Sequence, residues 1–377
     1  MKLYLDNAAA EPVDQKTIGR LQELFAESWA NQEAAGYAGN QAAEQEKNAA
    51  KSLLGAVAGK QAADYSVLWG HAGTEVIQAA FRLIAQHYSG GRILYTAGDH
   101  AAVRASIESM GAGFSGAEIG LTSEGGIDFA SFERELDSDV ICVCVPFVVS
   151  ETGAVQDLCR VREVLKRKSS RALFFCDSIQ GVGKVHFDWV RIAPDFFTIS
   201  GQKLGLPAGA ALIYRKEWKK YGNKLRSEYH QISRVPVPFI QLLSERVAEM
   251  YGTLAARYER MCVQRERFLQ ILKEVTGEGR YHVTVPCEAG SPYIIHLLLH
   301  NGVQGAIIVR ALTLYGISIS YGSACDAETD RPSGVLLSMG YSREESYGAL
   351  RISFSGELEE GQMYGFAEKL LKTIEEY

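Results

Sequence analysis

Lys203 occupies the most demanding setting of any charged residue in this chain. It follows the apolar run Phe196-Phe197-Thr198-Ile199, broken by Ser200-Gly201, and precedes a second apolar run over residues 210–214. Burial between two strands disfavours the charged form of an ammonium group. A lysine that spends time as the free amine is a nucleophile for carbonyl carbon and forms Schiff bases. The alternative is a loop lysine whose head reaches water. Four other side chains with chemical capacity stand in the same relation to strand-like runs. Thr74 follows residues 65–69, His100 follows 92–95, Ser150 follows 140–146 and Asp177 follows 172–176.

The elements between these runs have helical patterns, at residues 76–87, from Ala102 onward, and near 158–168. Strands alternating with helices predict a mainly parallel sheet with helices on both faces, an α/β/α layer structure. In such sheets ligands bind at the carboxyl ends of the strands, which is where all five side chains fall. Before this region, residues 4–10 are apolar and small. A helical pattern follows Pro12 as far as about Ser28, residues 31–39 read as a loop, and 41–54 return to helix. After it, residues 238–275 read as a long helical stretch interrupted near Gly252. The remainder reads as a smaller α+β domain with strands at 293–299, 317–320 and 351–355, a helix at 303–314 and a closing helix at 357–376. The predicted division is a large domain over residues 13–250, with 1–12 and 251–377 forming the small one.

The five strand-end residues make a coherent set for pyridoxal phosphate. Lys203 would hold the aldehyde, and Asp177 would pair with the pyridinium nitrogen so that the ring accepts electrons. Gln180 would donate to the phenolic oxygen. His100 would stack on the ring and move protons, since imidazole titrates near neutrality. Gly73, Thr74, Ser200 and Gln202 would hold the phosphate, with the helix N-terminus supplying free N–H groups. Each has a plainer reading alone: Asp177 as a helix cap, His100 as a surface loop histidine, Thr74 as a capping residue. The argument lies in their conjunction.

Composition sets the bounds. At 377 residues, 47% hydrophobic and 22% charged, the chain has room for two domains and a large core. A net charge of −6 gives no reason to expect nucleic-acid binding. The seven cysteines lack metal-ligand spacing, which predicts reduced thiols, a cytoplasmic setting and no metal site. Cys142 and Cys144, inside an apolar run, read as buried strand positions. No segment approaches the ~20 apolar residues of a membrane span.

The sequence resembles the cysteine desulfurases of the class V aminotransferase group, which are fold type I pyridoxal-phosphate enzymes. The matching pieces, in order over nearly the whole chain, begin with Tyr4-Leu5-Asp6-Asn7-Ala8-Ala9, Ala72-Gly73-Thr74-Glu75, Asp99-His100-Ala101-Ala102-Val103 and Glu151-Thr152-Gly153. They continue with Asp177-Ser178-Ile179-Gln180-Gly181-Val182-Gly183-Lys184, Ser200-Gly201-Gln202-Lys203, Gly322-Ser323-Ala324-Cys325 and Leu350-Arg351-Ile352-Ser353. The resemblance implies a Schiff base on Lys203, with Ser150 among the residues holding cofactor and substrate. Arg351 and Asn31 would bind the substrate, Arg351 through a bidentate fork on its carboxylate. Lys203 or His100 would remove the α-proton. Cys325, as thiolate, would take the sulfur of L-cysteine or a similar amino acid as a persulfide, leave alanine, and pass the sulfur to an acceptor protein. It also implies a homodimer.

The chain departs from the family pattern at several points. Gln202 stands where a histidine usually precedes the Schiff-base lysine, and Ser150 where an asparagine is usual. Asn31 begins its motif, but Gln32-Glu33-Ala34 does not continue it. The segment that supplies a phosphate contact from the dimer partner is not recognisable, although Arg234 falls near its position. Two rival readings follow: an aminotransferase or lyase of the same fold in which Cys325 is incidental, and a non-catalytic relative acting in sulfur transfer.

Overall fold

The computed structural model of the chain describes residues 2–168, 171–229, 234–322 and 332–377. The chain opens with β1 (Leu3–Tyr4) and then builds a sheet from β2 (Tyr65–Gly70), β3 (Gly91–Thr96), β4 (Phe114–Ile119), β5 (Val140–Pro146), β6 (Leu173–Asp177), β7 (Phe196–Ser200) and β8 (Ala210–Arg215). These seven strands lie in the order β2-β8-β7-β6-β5-β3-β4. β3 through β7 pair in parallel, whereas β8 runs antiparallel to both β7 and β2. The exception has a plain cause. Only a short loop separates β7 from β8, too short for the crossover that parallel neighbours need.

Alternate residues of each central strand enter two different cores. Val143, Val145, Phe174, Cys176, Phe197 and Ile199 join one. Cys142, Cys144, Leu173, Phe175 and Phe196 join the other. This is the two-residue period of a pleated strand buried on both faces, and it explains why these runs are continuously apolar. The helices Gly73–His87 and Ala101–Ser109 cover the second face.

The structure corrects several boundaries. The 31–39 loop ends early, because the next helix spans Tyr37–Ala58. Edge strand β4 escaped the sequence pattern because Ser115, Gly116 and Glu118 leave only Ile119 fully buried. The helix Lys219–Tyr229 is too polar to have announced itself.

A second sheet holds β9 (Tyr281–Val283), β10 (Ile294–Leu299) and, beyond the two-residue β11 (Ile317–Ser318), β12 (Ala349–Ser353). Its order is β12-β10-β9, all antiparallel. The long helical stretch divides at Thr253 into Val237–Gly252 and Leu254–Thr276. β1 pairs in parallel with β11, so the N-terminus is drawn onto the C-terminal part of the chain.

Asp195 ties the amino ends of the central strands together. Its carboxylate accepts from Phe174 N–H at 2.8 Å, Arg215 Nε at 3.0 Å and Arg162 Nη2 at 3.3 Å. Removing it strands two guanidinium groups and one strand N–H. Asp195→Ala is expected to cost about 3 kcal/mol, measured as a lower urea midpoint. A shift no larger than that of an exposed aspartate control would refute this account.

Candidate active site

A cavity of about 540 Å³ opens at the carboxyl ends of β3, β5, β6 and β7. Its walls carry Gly73, Thr74, His100, Ser150, Asp177, Gln180, Ser200, Gln202, Lys203 and Arg351. The structure thus gathers every site residue proposed from sequence except two. Cys325 lies outside the described residues. Asn31 lies elsewhere: its Oδ1 accepts from Glu33 N–H at 3.0 Å and from the Arg234 guanidinium. It therefore stands beside a larger cavity of about 780 Å³, between Tyr37–Ala58 and β2, whose walls include Gln32, Glu33 and Arg234. That cavity is the bigger one, but its charged residues, such as Glu46, Lys47 and Lys51, do not come from the carboxyl ends of the parallel strands, which is where α/β sheets place chemistry.

Each side chain is aimed by the element before it. Asp177 is the last residue of β6 and is buried; its Oδ1 accepts from Thr198 Oγ1 at 2.8 Å and Ile179 N–H at 3.2 Å. His100 caps the helix Ala101–Ser109, with Nδ1 accepting from Ala102 N–H at 3.1 Å. In the neutral ring this puts the proton on Nε2. The plain alternative for His100 is a surface loop histidine; the structure instead makes it a helix cap that also lines the cavity. Gly73 opens the helix Gly73–His87, and the first N–H groups of a helix have no intrahelical partner. A Cβ at Gly73 would come within 2.6 Å of Ile179 Cδ1 and 3.6 Å of Ser200 Oγ, so a larger residue here would make the Ile179 side chain move. Gln202 is exposed at the rim.

The N-terminal segment crosses these strand ends and bonds to four of the set, Gln180, Gln202, Lys203 and Arg351, which the sequence did not disclose. Gln180 Nε2 donates to Ala8 O at 2.8 Å, and the Lys203 ammonium donates to Ala9 O. Glu11 N–H donates to Gln202 O at 2.9 Å, while the Glu11 carboxylate pairs with buried Lys184 at 3.3 Å. Asp6 pairs with Arg351 at 2.8 Å. Arg351 is only 2% exposed; its Nη1 donates to Ser150 O at 3.1 Å, and its Nε is enclosed without a hydrogen-bond partner. The cradle at Gly73, the acid at Asp177 and this unsatisfied guanidinium fit a phosphorylated pyridine aldehyde and an amino-acid carboxylate.

The comparisons with known proteins agree. A model of the class-V aminotransferase family matches residues 3–228. The chain belongs to that family. Cysteine desulfurase 2 of Trichormus variabilis is 27% identical over 368 residues, spanning 94% of this chain and 88% of that protein. Cysteine desulfurase IscS of Neisseria meningitidis serogroup C is 25% identical, over 98% of this chain and 91% of the other. Among solved structures, a NifS-like protein matches over the whole of both chains with a TM-score of 0.85 at 21% identity. The class-V fold of this chain is therefore that of the NifS-like proteins, the fold type I architecture.

Asp99 was quoted in the sequence only as part of a matching stretch, yet this class-V site includes it. Its Oδ2 accepts from Thr96 N–H at 2.7 Å and Thr96 Oγ1 at 3.0 Å, while Oδ1 is enclosed and unpartnered. Burial, reinforced by the Asp177 charge and opposed by the Thr96 hydrogen bonds, pushes its carboxyl up to about 7. A carboxyl raised on folding holds a proton that the unfolded chain releases above about pH 4. Its contribution is therefore lost as pH rises from there toward the folded value. Asp99→Asn keeps an acceptor for Thr96 and cannot ionise. In the cofactor-free protein its urea midpoint should match wild type near acid pH and exceed it increasingly up to neutrality. A gap that does not change with pH would contradict this.

Proposed function

We propose that this chain is a pyridoxal-phosphate-dependent cysteine desulfurase that converts L-cysteine to L-alanine and carries the sulfur as a persulfide on Cys325. The observation that carries the reading is the convergence of Lys203, Asp177, His100 and Arg351 on one cavity. The full-length likeness to proteins named cysteine desulfurases and the Gly322-Ser323-Ala324-Cys325 motif support it.

The residues that would hold the cofactor are Lys203 as covalent anchor, Asp177 for the ring nitrogen, Gln180 for the phenolic oxygen and His100 against the ring. The helix N-terminus at Gly73 and Thr74, together with Ser200 and Gln202, would take the phosphate, and Ser150 would border cofactor and substrate. When bound, the cofactor supplies an electrophilic carbon for an amine and takes up the electrons released at the substrate α-carbon.

The rest falls to the protein. Arg351 orients the substrate through its carboxylate. Ser150 O and Asp6 hold two corners of the guanidinium, leaving donor capacity at Nε. The free amine of Lys203, or a ring nitrogen of His100, accepts the α-proton. Release of Lys203 from Ala9 O would precede its role as a base. The Cys325 thiolate attacks the substrate sulfur, forming an S–S bond as the C–S bond breaks with its electron pair left on carbon. Protonation of that carbon, and return of a proton to the α-carbon, yields alanine. A sulfur-acceptor protein then receives the persulfide sulfur.

We further propose a homodimer, supported by the largely apolar cavity beside the end strand β2, with Ala50, Leu54, Trp69 and Ile240 in its wall. The described cysteines are all unpaired, in keeping with a reducing compartment. No helix among the described residues is long and apolar enough to cross a membrane.

Purified protein given L-cysteine and a reductant should release alanine and sulfide in equal amounts, and Cys325→Ser should lower both at least about a hundredfold. Alanine release unchanged by that substitution would transfer the protein to the lyase reading. Lys203→Ala should abolish covalent retention of the cofactor after borohydride reduction, read by intact-protein mass. Retention of that mass would remove Lys203 from its assigned role.

A further inference from the structure

Asp6 has no role assigned above beyond holding a corner of Arg351. The two lie 345 residues apart in sequence, yet their carboxylate–guanidinium contact is 2.8 Å. Arg351 has side-chain exposure of only 2%, and Asp6 has 19%. Among the described residues, Asp6 is the carboxylate that contacts this guanidinium, while the buried Glu151 carboxylate lines the same cavity. Across the strand pair, His296 lies directly opposite Arg351. It is fully buried, with Nδ1 at 3.0 Å from Thr284 Oγ1. Burial, and then the adjacent guanidinium, push it down to about 3, so His296 is neutral. The other partner of Arg351 is the Ser150 carbonyl, also neutral. The subsite therefore presents a guanidinium whose positive charge already has one anion beside it.

Two consequences follow from elementary electrostatics. A ligand carboxylate that binds Arg351 shares it with Asp6, so its affinity is tempered. A ligand with a second acid group brings a further negative charge close to Asp6 in a site where repulsion is weakly screened. We propose that Asp6 is the specificity-determining residue of the carboxylate subsite, admitting amino acids with uncharged side chains in preference to those with acidic ones. This deepens the reading above and rests on its assignment of Arg351 to the substrate carboxylate.

The substitution Asp6→Asn isolates the charge, because its amide oxygen still accepts from Nη2. The test is the equilibrium binding of L-alanine and L-aspartate to the cofactor-loaded protein, neither of which carries a sulfur to be transferred. Wild type should favour alanine. In Asp6→Asn both ligands should bind more tightly, aspartate gaining roughly tenfold more than alanine. Asp6→Glu, which keeps the charge, should retain the wild-type ratio. An alanine-to-aspartate ratio unchanged in Asp6→Asn, or weaker binding of both ligands, would overturn the proposal. A merely structural role would lower thermal stability and affect both ligands alike, which counts against the proposal in the same way. Arg351→Lys separates the two layers. If it leaves alanine binding unaltered, the assignment of Arg351 has failed; if it weakens alanine while Asp6→Asn leaves the ratio unmoved, only the role of Asp6 has failed.

Discussion

A guanidinium with almost no access to water is the constraint around which this molecule is arranged. Arg351 sits at the middle of β12, and burying its charge unpaired would cost several kcal/mol. The fold meets that cost from two directions, with neutral His296 on the neighbouring strand adding no opposing charge. Asp6 comes from the N-terminal segment and the Ser150 carbonyl from the loop after β5. Those contacts bring the small antiparallel sheet, the start of the chain and the rim of the parallel sheet to a single point. The cavity is what remains between them.

The N-terminal segment is correspondingly more than a leader into the first helix. Asn7 Nδ2 donates to Ser353 O at 3.0 Å and Ala8 N–H to Ser353 Oγ at 2.9 Å, which fasten it to β12. Its next carbonyls, of Ala8 and Ala9, receive Gln180 and Lys203 from the large sheet. The turn over residues 7–9 thus offers its carbonyls to polar groups of the cavity wall. The buried Lys184–Glu11 pair anchors the far end of the segment.

Parallel strands explain why residues scattered through the chain converge at all. Each of β3, β5, β6 and β7 points the same way, so the loops leaving them share one edge. His100, Ser150, Asp177 and Lys203 inherit that edge from topology. β8 breaks the pattern, and its antiparallel pairing lets β2 lie parallel to β7 and deliver Gly73 and Thr74 to the same edge. Gly73, having no Cβ, then lies close against the Ser200 side chain.

Much of this was legible in the residues alone, and the reason is local. Runs buried on both faces must be apolar throughout, so β2, β5, β6, β7 and β8 stood out. Polar residues placed just past such runs had to reach the ligand-binding edge of a parallel sheet. What stayed hidden depended on partners remote in sequence. β4, half exposed at the sheet edge, carries no continuous apolar run. The polar helix Lys219–Tyr229 has no strong apolar face to reveal it. The motif containing Asn31 suggested a place at the cavity, whereas the structure sets Asn31 beside Arg234 and the Glu33 backbone. The pairing of Asp6 with Arg351 could not be read from either residue, since a carboxylate in an apolar segment does not say which charge it will meet. Composition and spacing determined the layers and the edge where chemistry belongs. Only the tertiary structure decided which charges neighbour one another there, because electrostatic energy depends on distance through space and not along the chain.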